Sequence, residues 1–156
     1  MGEGYKPKAL DYQNLPQQER DKINDAATVM LGILEGARSY QGAKRYLSGD
    51  TFLVSFLDTD MMLEGLVYLI EREDPDAEPR GAENMAINAV LFLATTERKE
   101  MIPYLRSIGG NAEPRLSKAS CTPALVAASQ QALYKLSNGK EGLEHALDTY
   151  DMMSSA

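Results

Sequence analysis

Tryptophan is missing from this chain, and cysteine and histidine each occur once in 156 residues. A lone Cys121 cannot close an intramolecular disulfide, so the fold must stand on its core, and a reducing, cytoplasmic setting is the expectation. Zinc needs three or four His or Cys ligands, more than Cys121 and His145 together supply. The sequence has no Asn-x-Ser/Thr sequon and no Gly-x-x-x-x-Gly-Lys-Ser/Thr phosphate loop. Its longest apolar runs, such as 89–94, fall far short of the roughly 20 residues that cross a bilayer. Residues 1–8 lack the apolar core of a secretory signal, and Lys6 stands where a myristoylation pattern wants Ser or Thr, so no membrane partner is expected. Clean alternation of period two over five or more residues is also missing, which leaves no strand candidate.

Basic surface is scarce as well. The net charge is −7 and the isoelectric point about 4.8, which argues against nucleic acid, since phosphate binding needs an extended basic face. The imbalance is local: residues 58–83 hold nine acids (Asp58, Asp60, Glu64, Glu71, Glu73, Asp74, Asp76, Glu78, Glu83) against Arg72 and Arg80, giving the whole −7, while the flanking stretches sum to zero. Concentrated charge makes a negative field able to steer a basic partner or hold a cation.

The remaining pattern is helical. A chain of this length can bury about two-thirds of its unfolded surface as one domain, so residues 1–15 read as an N-terminal arm and 16–156 as a single all-helical domain. In the arm, Tyr5, Leu10, Tyr12 and Leu15 are candidate anchors between Pro7 and Pro16. After Pro16, the residues Ile23, Ala26, Ala27, Met30, Leu31 and Leu34 recur at three and four, the spacing of a helix with one buried side. Gly32, Gly36 and Gly42 mark close helix contacts or a break near Tyr40, before a short helix carrying Ala43, Tyr46 and Leu47. Asp50 is placed to cap a helix whose apolar side is Phe52, Leu53, Phe56 and Leu57. A break at 58–60 keeps Asp60 off a buried face and opens a central helix over 61–72, apolar around more than half its circumference. Pro75 and Pro79 place a loop at 73–80. Helices follow over 83–95 and, with Pro103 forcing a kink or a start near Ile102, over 98–108. Another opens at Thr122-Pro123 and ends at Ser137-Asn138-Gly139 as a left-handed cap, and a last one spans 141–152. The expected fold class is all-α: a compact bundle or short stack of antiparallel hairpins, about six to eight helices.

An internal echo favours the stack. Ala89-Val90 to Leu93, then Ile102 and Leu105, compares with Ala132-Leu133 to Leu136, then Leu143 and Ala146 or Leu147, starting 43 residues later. These segments resemble armadillo or HEAT-type repeats, whose period is about 40 to 47 residues.

No set of residues here forms a catalytic or cofactor site. Asp58, Asp60 and Glu64 could offer oxygens to a hard cation, but the calcium-loop pattern is absent. They read as helix-capping acids, with Glu64 on the wet side. Cys121 precedes a helix start that could activate a thiol, yet no base accompanies it, and His145 has no nucleophile or orienting acid. Ser137-Asn138-Gly139-Lys140 matches Ser-x-x-Lys only formally, because it ends a helix where the motif must begin one. Eight tyrosines and eight methionines suit an adaptable interface as well as a core, with Met61-Met62 and Met152-Met153 the pairs to inspect.

The expectation is therefore a non-catalytic helical protein, without metal or cofactor, that binds a protein partner bearing a basic surface. Glu71, Glu73, Asp74, Asp76 and Glu78 are the candidate contacts. Adaptors, inhibitors and neutralising immunity-type proteins work this way. The alternatives are a metal- or small-ligand pocket using Asp58, Asp60 and Glu64, and a subunit that self-associates through the apolar face of 61–70.

Overall fold

The computed structural model describes residues 5–71, 79–108 and 123–139. Among them every regular element is helical, as the 3.6-residue periodicity requires. Seven α-helices follow in chain order: α1 (Gln17–Gly36), α2 (Tyr40–Tyr46), α3 (Thr51–Phe56), α4 (Asp60–Glu71), α5 (Pro79–Ala94), α6 (Ile102–Ile108) and α7 (Pro123–Leu136). Two 3-10 segments, Lys8–Asn14 and Lys99–Met101, lie before α1 and α6. None of the described helices is long and apolar enough to cross a membrane.

In space α4 lies between α1 and α5, α7 packs on the far side of α5, and α6 lies along α7. The two Ala-rich helices of the internal echo, α5 and α7, are thus direct neighbours. The second return helix that the sequence predicts over 141–152 falls outside the described residues.

Composition explains the position of α4. Met62, Leu63, Leu66, Val67, Leu69 and Ile70 are all buried, and each such side chain contributes about 1.5–3 kcal/mol of burial. Neighbours cover it on several sides, so the face proposed for self-association is spent inside the monomer. Met62 is fully buried beside a partly buried Met61. Gly65 sets the approach of α1: a Cβ there would lie 2.8 Å from the Ala26 carbonyl carbon and oxygen, so two backbones touch. Of the glycines read as close contacts, Gly36 lies under the Tyr46 side chain, at 2.7 Å from where its Cβ would be, whereas nothing approaches within 4 Å of Gly32.

Local signals set most ends. Ser39 accepts from the Gly42 N–H at 3.0 Å and Asp50 from the Leu53 N–H at 3.1 Å, capping α2 and α3. The α3/α4 break falls at 57–59, sparing Asp60 a buried position. Helix α5 begins at Pro79, earlier than the expected loop over 73–80 allowed, because proline at a first helical position loses no hydrogen bond. Helix α6 begins at Ile102 for the same reason, with Pro103 in its first turn. At the end of α7 the Gly139 N–H donates to the Tyr134 carbonyl at 2.8 Å and the Asn138 N–H to Lys135 at 3.3 Å, with Asn138 left-handed (φ 57°), a Schellman ending.

Candidate functional site

Each acid of the 58–83 stretch whose side-chain contacts are resolved has its own partner. Asp58 accepts from the Tyr40 hydroxyl and lies 3.4 Å from Lys44 Nζ. The Tyr40 hydrogen bond, with Lys44 beside it, holds the Asp58 carboxyl below its usual range. Asp60, in the first turn of α4, pairs with Arg98 at 2.5 Å, and Arg98 also grips Glu100. Glu71 accepts from the Tyr104 hydroxyl at 3.1 Å. Asp58, Asp60 and Glu64 therefore do not converge, and no group of three His, Cys, Asp or Glu able to hold a metal forms among the described residues. Glu73, Asp74, Asp76 and Glu78 lie outside the described residues, as do Cys121 and His145.

Glu64 corrects the sequence reading. It is 2 % exposed, not on the wet side of α4, because this helix is covered around most of its circumference and a polar residue within its apolar arc must go inward. A buried carboxylate requires donors, and the N-terminal arm supplies them. The backbone N–H groups of Lys8 and Ala9 reach its two oxygens at 2.9 Å each, and the Tyr5 hydroxyl donates at 2.5 Å. Burial, with the adjoining carboxylate, pushes the Tyr5 phenol well above its ordinary value. Further along, Tyr12 packs on Tyr68 with ring centroids 5.0 Å apart and accepts from Asn24, while Leu10 and Leu15 pack against the core. From residue 5 onward the arm is a strap across α4. The clue in the sequence was Glu64 itself, a charge inside a six-residue run, 62–67, that is otherwise apolar or glycine.

A second surface lies on the α2–α3 flank. Tyr46 is 64 % exposed and Phe52 76 %, and α3 has no buried residue. The expected apolar side of Phe52, Leu53, Phe56 and Leu57 is buried only at Leu57. The reason is length: six residues give too short a helix to lay a full apolar stripe on a neighbour, and no described helix packs extensively along it. The Tyr46 side chain covers Gly36 at the end of α1. Gly36 also lines a groove of about 240 Å³ with Leu34, Ala37 and the partly exposed Leu91, and Glu35, Arg38 and Asn88 supply its polar groups. The groove thus has an apolar floor and a charged and amide rim. Set against protein-family models, curated proteins and solved structures, the chain matches none of them.

Proposed function

We propose that this chain is a non-catalytic binding protein that engages another protein through the α2–α3 flank. Phe52 carries the reading: a phenylalanine 76 % exposed, on a helix with no buried residue, would gain by entering a partner's pocket. Tyr46, which covers Gly36 at the rim of the Leu34–Leu91 groove, adds a second exposed aromatic to the flank. The acids of 58–83, Glu71, Glu73, Asp74, Asp76 and Glu78 among them, would speed encounter with a basic rim on that partner. The apolar anchors would then set the lifetime of the complex. An adaptor would leave its partner active, whereas an inhibitor or immunity-type protein would silence it.

A photo-crosslinking residue at position 52, with a control at the exposed, polar position 28 of α1, tests this in native lysate. The expected result is one protein adduct from position 52 and none from position 28, with Phe52→Ser lowering affinity for the captured partner about tenfold or more. Equal labelling from both positions, or unchanged affinity in Phe52→Ser, would overturn it. An adduct with a second copy of the chain would assign the flank to self-association instead.

A further inference from the structure

A cleft of about 560 Å³ opens where α5 and α7 end, lined by Gln41, Ala94, Thr95, Glu97, Lys99, Lys135, Leu136 and Asn138. That volume is within the range of small-molecule sites. Three charged side chains on its walls, Glu97, Lys99 and Lys135, form no ion pair and no hydrogen bond with the described residues or with each other. The backbone adds a second, independent sign. Glu97 and Asn138 are the two non-glycine residues with left-handed φ among the described residues, at 62° and 57°, and both line this cleft. Asn138 is accounted for by the Schellman ending of α7. Glu97 has no bond of that reach: beyond the turn closed by Thr95 and Thr96, the Arg98 N–H donates to Thr96 Oγ1 at 3.3 Å around it, and its left-handed φ of 62° is one that a glutamate adopts at a cost. Strained backbone that presents an unpaired charge to a cleft is a mark of a binding position.

Lys99 and Lys135 are ammonium groups suited to a carboxylate. Glu97, together with the negative ends of two helices, suits an ammonium. Ala94 and Leu136 give an apolar wall, and the Gln41 and Asn138 carboxamides and the Thr95 hydroxyl can donate or accept. From this arrangement we propose that the cleft binds a small amine–carboxylate zwitterion of the amino-acid class, the carboxylate toward Lys99 and Lys135 and the amine toward Glu97. A plain anion fits less well, because two helix C-termini and Glu97 would repel it. This site borders α2 through Gln41 but uses neither Tyr46, Phe52 nor the Leu34–Leu91 groove.

The test uses the full chain and three probes: L-leucine, N-acetyl-L-leucine, which lacks the charged amine, and L-leucinamide, which lacks the carboxylate. Each is titrated to about 10 mM, where a complex with a Kd of about 1 mM is about nine-tenths formed. L-leucine is expected to shift the backbone amide resonances of 94–99 and 135–138, with both derivatives at least about tenfold weaker. Lys135→Gln and Lys99→Gln, at exposed positions that leave the core untouched, are expected to weaken L-leucine similarly, and Glu97→Gln to abolish the preference over the acetylated form. The proposal is overturned by the absence of shifts with L-leucine, by equal binding of either derivative, or by lysine variants that bind as the parent does.

Discussion

Removing the Tyr5 hydroxyl would leave the buried Glu64 carboxylate with the two amide donors of Lys8 and Ala9 in place of three. Tyr5→Phe is expected to cost about 1–3 kcal/mol, the range for an under-satisfied buried polar group, measured by denaturant unfolding. The same phenol carries a pH signature. Its folded pKa is raised above the unfolded value of about 10, so the folded state keeps a proton that the unfolded chain loses. The stability it contributes is present below about pH 10 and is lost as pH rises through the folded value. Compared with the parent, Tyr5→Phe should therefore lose less stability between about pH 9 and pH 11. Equal slopes in that window would show that Tyr5 is not the group concerned. Tyr5 and Glu64 are individually plain in the sequence, yet their pairing across 59 residues leaves no local trace, since hydrogen bonds of that reach obey no periodicity.

At the scale of the element, the α1/α4 contact hinges on one residue. Gly65→Ala would push a methyl group to 2.8 Å from the Ala26 backbone, where no flexible side-chain end can give way. The gain in helix propensity, under about 1 kcal/mol, is then outweighed by overpacking of about 1–3 kcal/mol. A net loss of stability in thermal or denaturant unfolding is the expected outcome, and a stabilised Gly65→Ala would mean the helices can move apart freely. Each of the seven α-helices was legible in the sequence, whereas the 3-10 helix Lys8–Asn14 falls in a stretch that the sequence reads as an extended arm. Start and stop signals also located the caps at Asp50, Ser137-Asn138-Gly139 and Pro103. The sequence pattern was less informative about which arc of a helix is covered. It placed Phe52 inside and Glu64 outside, the reverse of the structure, because a moment says where the apolar side lies and not whether anything packs there.

For the whole molecule, charge and apolar surface are divided between regions. Residues 58–83 hold the net −7, while the exposed aromatics Tyr46 and Phe52 precede them in the chain, and the unpaired lysines 99 and 135 come later. In the proposed binding role the acids would draw in a basic partner over several ångströms and the apolar contacts would hold it. Reversing Glu73, Asp74, Asp76 and Glu78 to lysine should lower the association rate with the partner captured at position 52, by about tenfold or more at low salt, and flatten its salt dependence. Stopped-flow association across ionic strengths reads both. Unchanged rates at low and high salt would remove the acidic stretch from the encounter.

Sequence alone determined the helical class, most helix boundaries and the local concentration of acid, because those depend on neighbours three or four residues away or on simple counting. Tertiary structure decided the rest: that Glu64 is buried under the arm, that Gly65 and not Gly32 is a close contact, that Asp58 and Asp60 are turned to separate basic partners, and that Phe52 has no cover. Each of these rests on contacts between segments distant in the chain, whose geometry is fixed only when the helices assemble.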